Sequence, residues 1–222
     1  MLAALRRRRP GAPVYMIVWW FFLYTCCYAF FLPAYRFRTW GASRVPKQGP
    51  VLFLSNHQSF LDPVVVGLGI GHRRQFYAMA RSTLWNNWFF GKLINTMNAF
   101  PVKRGESDMA AMRKSIDLLK EGQSLLVFPE GTRTSDGKTA PFATGTMLLI
   151  KRSMPMVVPV AIEGTFDAWP KGRHFKPWGR IGIEFGDPIP AQQLIDLGAD
   201  AALLNLQQTV ETMRLQLAQR MK

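Results

Sequence analysis

The sequence predicts an α/β protein: a single domain with a central, mostly parallel sheet flanked by helices, preceded by an N-terminal hydrophobic membrane-anchoring helix. Short apolar runs alternate with amphipathic helical patterns from residue 50 onward. A long apolar stretch with basic residues at both ends comes before them. We therefore divide the chain into residues 1–40, a basic segment with the anchor, and residues 41–222, whose motif-bearing core spans about 45–190.

The composition is strongly basic, with 28 Lys and Arg against 14 Asp and Glu, a net charge of +14. Residues 41–222 keep +8 without the six arginines that precede them. Such a balance favours a polyanionic partner: nucleic acid, an anionic membrane or phosphorylated substrates. The hydrophobic fraction of 48% excludes a disordered chain.

Nineteen uncharged residues, Val14–Leu32, form the predicted anchor. A helix of that length would reach roughly 28 Å, close to the ~30 Å hydrocarbon core of a bilayer. Its Trp and Tyr rings are of the kind that sit at membrane interfaces. A cleaved signal peptide and a buried core helix are the alternatives, but the segment has no convincing cleavage site and is unusually aromatic.

The flanking charges leave the topology open. Four arginines, Arg6–Arg9, precede the apolar segment, and Arg36 and Arg38 follow it, which favours the N-terminus inside. A full span would then place the domain outside, whereas a re-entrant or one-leaflet anchor would not. The adjacent Cys26 and Cys27 provide neither a disulfide framework nor a nucleophile in the domain, which indicates a reduced, cytosol-facing protein.

Strand and helix signals alternate in the first half of the domain. Val51–Ser55 is a short apolar run of the buried-strand type. A helix over Asp62–Leu68 starts with Asp as N-cap and Pro in the first position. Gln75–Met79 is a weaker strand, Thr83–Met97 an aromatic-rich helix, and Phe100–Val102 a short strand.

The second half continues the alternation. Apolar residues at helical spacing predict a helix within Ser107–Gly122, with Ser107 as its cap. Ser124–Phe128 is a buried strand, and a polar loop separates it from a helix over Ala143–Ser153. Val157–Ile162 is a further strand, and Arg180–Phe185 alternates as a strand does.

The chain closes with an amphipathic helix over about 199–221. Its apolar stripe predicts a face that docks onto the domain, in preference to a partner or membrane helix. The stripe consists of Leu203, Leu206, Val210, Met213 and Leu217.

Candidate chemistry lies at four strand ends, where the sites of parallel sheets usually form. The first motif, NHQSFLD, offers His57 and Asp62. A turn can bring them together, so that the carboxylate orients the imidazole and raises its basicity toward a substrate hydroxyl. The alternative is a plain helix cap beside a loop histidine.

The other motifs are individually weak. FPVKRG places Lys103 and Arg104 after a strand, as phosphate ligands or as a solvated basic turn. In FPEGTR, Glu130 could accept from a substrate hydroxyl, Arg133 could meet a phosphate, and Gly131 would admit a ligand to the backbone, unless the segment is an ordinary surface turn. The uncharged VVPVAI could line an apolar slot or fill the core.

Together, the four motifs resemble the glycerolipid acyltransferase family, specifically the 1-acyl-sn-glycerol-3-phosphate acyltransferases (lysophosphatidic acid acyltransferases). NHQSFLD resembles the HxxxxD block of that family, FPVKRG the second block, FPEGTR the third and VVPVAI the fourth. The order matches over roughly residues 45–190. Lys103 stands where the second block more often has an aromatic residue or Asp.

The resemblance implies that His57 is the general base and that Asp62 orients it, with no covalent acyl-enzyme. The phosphate-binding side would be formed by Lys103, Arg104 and Arg133, while Glu130 and Gly131 shape that end of the site. The implied substrate-binding residues are Lys103, Arg104, Glu130, Gly131, Thr132 and Arg133.

The implied reaction transfers a fatty acyl group from acyl-CoA or acyl-carrier protein to the sn-2 hydroxyl of lysophosphatidic acid, making phosphatidic acid. We expect no cofactor or metal beyond the co-substrate, membrane lipids as partners, and no nucleic acid. The domain would face the cytoplasm, at the inner or plasma membrane if the source is bacterial. Alternatives are another lysophospholipid or a lyso-aminolipid as acceptor, or a lipid hydrolase or thioesterase of the same fold.

Overall fold

The computed structural model describes residues 13–103 and 108–222. The strands are β1 (Arg38–Trp40), β2 (Val51–Ser55), β3 (Tyr77–Arg81), β4 (Ala99–Val102), β5 (Ser124–Val127), β6 (Met156–Glu163), β7 (Gly182–Phe185) and β8 (Ile189–Pro190). The helices are α1 (Val14–Tyr35), α2 (Asp62–Ile70), α3 (Trp88–Thr96), α4 (Met109–Lys120), α5 (Gly145–Ser153), α6 (Thr165–Ala168), α7 (Ala191–Asp196) and α8 (Ala199–Arg220). Short 3₁₀ turns occupy residues 42–44, 71–73 and 82–86.

One sheet contains all of these strands in the order β1-β7-β6-β2-β5-β3-β4, and β8 pairs with β6. The strands β6, β2, β5, β3 and β4 are parallel, while β7 and β8 run antiparallel to β6. Every residue of β2 and β5 is buried, as expected of central parallel strands covered by helices on both faces. The predicted fold class is therefore confirmed.

Alternation along β2 divides the core into two layers. Phe53 faces a cluster built with the end of α1 and with α2. Leu52 and Leu54 face the opposite cluster, which α4, α5, α7 and α8 complete. The predicted stripe of α8 packs onto β6 and β7, so its docking role is confirmed. Both faces of the sheet are thus covered, and the ends of the strands remain for a site.

The apolar helix α1 extends three residues beyond the predicted segment, to Tyr35. Its length and composition suffice to cross a membrane, and 11% of its most apolar window is buried in the protein. The C-terminal end is held by the domain, because Phe31 and Tyr35 lie in the core. Nearer the N-terminal end, the Trp19 indole N–H donates to the Thr96 hydroxyl at 3.0 Å.

The starts of α3 and α4 differ from the sequence prediction. The predicted helix Thr83–Met97 is a 3₁₀ turn followed by α3, because Asn87 interrupts it and caps α3 with its side chain. Asp108 caps α4 in place of Ser107, accepting from the N–H three residues on at 2.9 Å. Ser107 itself lies outside the described residues. The short elements β1, β8, α6 and α7 were not predicted.

Candidate active site

The first motif forms a turn over residues 56–61, here called the first-motif turn, between β2 and α2. Its first residue, Asn56, is buried and bonded to the neighbouring strand β6. The Asn56 amide nitrogen donates to the Ile162 carbonyl at 2.9 Å, and its oxygen accepts from the Ile162 N–H at 2.8 Å. These two hydrogen bonds fix the start of the turn relative to the sheet.

His57 and Asp62 are in contact, as the sequence analysis considered possible. The His57 Nδ1 lies 2.8 Å from Asp62 Oδ2. The Asp62 side chain is fully buried and the His57 side chain is 12% exposed. The imidazole stacks on the Phe128 ring, with 4.0 Å between ring centroids. The carboxylate therefore holds Nδ1, and Nε2 is the nitrogen left to exchange a proton with a substrate.

Asp62 also organises the turn that presents His57. Its Oδ2 accepts from the backbone N–H groups of Gln58 and Ser59, both at 2.7 Å. The N-cap of α2 is Leu61, which makes no side-chain capping bond. The alternative of Asp62 as a plain helix cap is therefore wrong, because its carboxylate turns back into the loop.

The third motif is bonded to the first through Glu130. Glu130 Oε1 accepts from the His57 backbone N–H at 2.6 Å, and Oε2 accepts from the Ala140 N–H at 2.9 Å. Burial raises the pKa of the Glu130 carboxyl to about 7, with a further rise from Asp62 and Glu211, against the lowering effect of the two N–H bonds. Glu130 thus supports the backbone of the candidate base, an arrangement that the motif alone did not reveal.

The rest of the third loop encloses a cleft of about 430 Å³. Its lining includes Thr132, the cations Arg133 and Lys138, and the acids Glu130 and Asp136. Gly131 has a φ of +71°, and a Cβ there would meet nothing within 4 Å. The backbone conformation therefore accounts for glycine at this position, while the predicted close approach of a ligand stays a prediction.

The cations of the second motif are more loosely placed. Lys103 follows β4 at the edge of the sheet, is exposed, and donates its backbone N–H to Asp108 at 2.8 Å. Arg104 lies outside the described residues. The three strands β2, β4 and β5 are parallel, so the three motifs that follow them lie at the same end of the sheet. A shared phosphate site formed by Lys103, Arg104 and Arg133 remains a prediction.

Two further polar side chains of the first-motif turn hold it in place. The Ser59 hydroxyl donates to the Trp169 carbonyl at 2.8 Å and accepts from the Leu61 N–H at 3.2 Å. Gln58 donates to the Gly137 carbonyl at 3.2 Å. The Ser59 hydroxyl, which lies in the same turn as His57, is thus engaged in structural hydrogen bonds.

The fourth motif fills the core. Val157–Ile162 is buried throughout, in the middle of β6. Of the two alternatives, the core interpretation is the one that the structure supports. Ile162 nevertheless serves the site, since its backbone groups are the ones that hold Asn56.

A buried ion network on α8 was missed by the sequence analysis. Arg214 contacts Glu163 and Glu211, each at 2.7 Å, and Glu211 accepts from the Thr139 hydroxyl at 2.7 Å. Burial acts to raise the pKa of Glu211, but the bonds from Arg214 and Thr139 outweigh it and lower that pKa. Thr139 precedes Ala140, so the network supports the loop that binds Glu130. The available signal was a charged residue, Arg214, within the apolar stripe of α8.

Within the described ranges, no group of three or more His, Cys, Asp or Glu side chains could hold a metal ion. The chemistry that this arrangement can perform is proton transfer at His57, next to a cleft whose lining includes Arg133 and Lys138. His57 and Glu130 connect the two parts, because one bond joins them.

The chain is similar in sequence to several known proteins. A chloroplastic 1-acyl-sn-glycerol-3-phosphate acyltransferase from Brassica napus is 31% identical over 143 residues, 63% of this chain and 41% of that protein. A 1-acyl-sn-glycerol-3-phosphate acyltransferase from Bacillus subtilis is 26% identical over 152 residues, 68% of this chain and 73% of that protein. The chain spans about two fifths of the length of the plant relatives.

The crystal structure of the 1-acyl-sn-glycerophosphate acyltransferase PlsC from Thermotoga maritima superposes with a TM-score of 0.72 at 22% identity, covering 96% of this chain and 86% of that one. At this identity the likeness concerns the fold. A sequence model of the family described as Acyltransferase matches residues 36–163, which is more than half of the chain and contains all four motifs in full. The chain therefore belongs to the Acyltransferase family.

Proposed function

We propose that this chain transfers a fatty acyl group from an acyl thioester to the sn-2 hydroxyl of 1-acyl-sn-glycerol-3-phosphate, forming phosphatidic acid. The observation that carries the proposal is the buried His57–Asp62 pair, 2.8 Å apart, beside a cleft walled by Arg133 and Lys138. The relatives' names supply the substrate: several are 1-acyl-sn-glycerol-3-phosphate acyltransferases. Acyl-CoA or acyl-carrier protein would be the co-substrate, with no cofactor.

In the proposed reaction, His57 Nε2 takes the proton of the acceptor hydroxyl as the oxygen attacks the thioester carbonyl carbon. Asp62 keeps Nδ1 protonated and stabilises the imidazolium that forms. Collapse of the tetrahedral intermediate breaks the C–S bond, and the thiolate recovers the proton from His57. The products are the doubly acylated lipid and the free thiol. Ser59 takes no covalent part, because its hydroxyl holds the Trp169 carbonyl.

The acceptor phosphate would bind in the cleft of the third loop. Arg133 offers a planar fork of donors and Lys138 a point charge. Lys103 and Arg104 would complete the cationic side from the second motif. Thr132 lines the same space, and Glu130 holds the backbone of the proposed base.

We place the enzyme at a membrane, with α1 as its anchor and the domain on the cytoplasmic side, where acyl-CoA and acyl-carrier protein are found. The exposed apolar surface of α1 and the basic charge of the domain support this location. An epitope after Lys222 provides the test. In sealed right-side-out vesicles we expect it to resist protease, and cleavage without permeabilisation would contradict the orientation.

The decisive experiment is a radiolabelled transfer assay on the full chain in detergent, with acyl-CoA and lysophosphatidic acid, beside His57→Ala. We expect label in phosphatidic acid and a loss of turnover on the order of 10²–10⁴ in the variant, the usual contribution of a positioned general base. Label released as free fatty acid would instead indicate a hydrolase or thioesterase.

Matched measurements separate the remaining alternatives. If lysophosphatidic acid is inert, other lysophospholipids and a lyso-aminolipid are tested with both donors. Asp196→Ala, at an exposed position on α7, serves as the control and should keep wild-type turnover. Near-wild-type turnover in His57→Ala would contradict the proposed base.

A further inference from the structure

A basic loop separates α6 from β7. Residues 170–178, with the sequence PKGRHFKPW, are here called the basic aromatic loop. Lys171, Arg173 and Lys176 give it three cations without an acidic residue, and all three are exposed. No part of the proposed reaction uses this loop, so its charge needs another explanation.

The same loop exposes large aromatic side chains. Trp178 is 72% exposed and Phe175 is 42% exposed. Exposed apolar groups rimmed by polar residues mark interaction sites, and Trp is enriched at membrane interfaces because its ring is amphipathic. Interleaved Lys and Arg are drawn to the anionic lipids of the cytoplasmic leaflet. The surface chemistry of the loop therefore fits an anionic bilayer.

The loop is attached to the end of the apolar helix. The Gly179 N–H donates to the Ala34 carbonyl at 3.0 Å, and the Tyr35 hydroxyl donates to the Lys176 carbonyl. Ala34 and Tyr35 are the last two residues of α1. If α1 occupies a membrane, these bonds hold the loop where the helix leaves it.

The loop is also connected to the first-motif turn. Its Phe175 contacts Trp169 with 5.4 Å between ring centroids, and Trp169 contacts Phe60 of the turn at 5.5 Å. The Trp169 carbonyl accepts from the Ser59 hydroxyl at 2.8 Å. The loop and the turn that carries His57 are therefore joined by contacts through Trp169.

A second exposed aromatic group continues the same row. Phe60 contacts Phe90 of α3 at 5.8 Å, and the two residues before Phe90, Trp88 and Phe89, are 69% and 72% exposed. Lys92 lies over the Trp88 ring, with its Nζ 4.1 Å from the centroid. Exposed aromatic and cationic groups thus stand on both sides of the first-motif turn.

We propose that the basic aromatic loop, together with Trp88 and Phe89, docks onto the anionic surface of the bilayer as a second contact, separate from α1. This contact would fix the orientation of the domain on the membrane, so that the first-motif turn faces the lipid. It goes beyond the proposed reaction, because lipid binding by the loop does not depend on which acyl transfer the site performs.

A fluorescent reporter on the full chain tests the contact directly. Cys26→Ser and Cys27→Ser remove the native thiols, and His174→Cys places an environment-sensitive dye within the loop. Gln216→Cys, at an exposed position on α8, is the control. Both proteins are reconstituted into nanodiscs of phosphatidylcholine alone or with an equal amount of phosphatidylglycerol.

We expect blue-shifted emission from residue 174 in the nanodiscs with phosphatidylglycerol, quenching by a lipid spin-labelled near its headgroup, and unchanged emission from residue 216. The charge substitutions Lys171→Glu and Arg173→Glu should remove the shift at residue 174. Unchanged emission at 174, or an equal shift in phosphatidylcholine alone, would overturn the proposal. Because the loop with its native Lys171 and Arg173 gives the primary result, poor folding of the charge variant does not affect it.

An acidic protein, such as an acyl carrier, is the rival occupant of the cationic surface. Adding acyl-carrier protein to the labelled chain in phosphatidylcholine nanodiscs separates the two cases. We expect no change in emission at residue 174. A saturable change there, without one on adding phosphatidylglycerol, would assign the loop to the carrier protein and overturn the lipid contact.

Discussion

The first-motif turn and the cleft beside it are built in opposite ways. In the turn, Asn56, Gln58, Ser59 and Asp62 are buried and bonded to neighbouring segments, and His57 is held through its ring and its backbone. In the cleft, Arg133 is half-buried, and within residues 13–103 and 108–222 no carboxylate is close enough to form an ion pair with it.

The difference indicates a division of roles. Groups that must hold a fixed geometry are bonded to neighbouring segments of the protein, as we expect for the preorganisation of a base. Groups that bind a charged ligand keep their donors available for it. Substitutions in the turn should therefore lower turnover, whereas substitutions in the cleft should weaken substrate binding.

The largest effect is expected from Asp62→Asn. The amide would no longer stabilise an imidazolium, although its oxygen could still accept from the backbone of the turn. We expect turnover to fall by about 10²–10⁴ with little change in acceptor KM. Steady-state kinetics on both substrates provide the measurement, and Asp196→Asn is the exposed control. A variant with normal turnover and raised KM would place Asp62 with the cleft and reverse the comparison.

The ion network of Arg214 on α8 should also contribute to holding the first-motif turn in place. Arg214→Met leaves Glu163 and Glu211 without their shared cation in a largely buried position. We expect a loss of about 3 kcal/mol in the free energy of unfolding, since removal of one partner strands the other charges. Turnover should also fall, because Arg214 holds Glu211, and Glu211 accepts the hydrogen bond from Thr139 in the loop that binds Glu130. Denaturant unfolding measures the free energy of unfolding, with the exposed Arg152→Met as control. Equal stability of the two variants would mean that the Arg214 network does not stabilise the fold.

Much of the fold could be predicted, because it depends on local pattern. The buried strands Val51–Ser55 and Val157–Ile162 are continuous apolar runs, and the stripe of α8 has the helical period. The interruption at Asn87 was missed because a side-chain cap competes with an otherwise helical aromatic segment. The two-residue strand β8 pairs with β6 through tertiary context, which no local pattern reveals.

For the site, sequence order and resemblance predicted a His57–Asp62 pair, and the turn geometry brings the two side chains into contact. The contact of Glu130 with the His57 backbone could not be predicted, since it joins loops that are 73 residues apart. The same holds for Arg214, which reaches Glu163 across 51 residues. Long-range bonds of this kind depend on strand order, and the local patterns of a single sequence do not reveal that order.

Glu130 links the two regions, and pH reveals its contribution. The unfolded chain releases this proton near pH 4.3, whereas the folded protein holds it until about pH 7. The folded state thus binds more protons between these values, so this group's contribution to stability is full below about pH 4 and declines as the pH rises to 7. Glu130→Gln should lack that decline.

The measurement is the free energy of unfolding in denaturant at pH 5 and pH 8 for both proteins. The advantage of the wild type over Glu130→Gln should shrink at the higher pH. Glu121→Gln, at an exposed position after α4, should follow the wild type at both values. A wild-type advantage that does not change between pH 5 and pH 8 would mean that the pKa of Glu130 is not raised by folding, as for an ordinary surface carboxylate.

The smallest effect is expected in the cleft, with Arg133→Ala. Loss of a charged donor to phosphate should raise the KM for lysophosphatidic acid roughly tenfold and leave kcat within a fewfold, since the contact is equal in the ground and transition states. Arg104→Ala should behave in the same way if the second motif shares the phosphate. Arg152→Ala, at an exposed position near the end of α5, is the matched control. If either variant lowered kcat with an unchanged KM, that arginine would act on the reacting atoms, and the separation between a turn that performs chemistry and a cleft that binds the headgroup would fail.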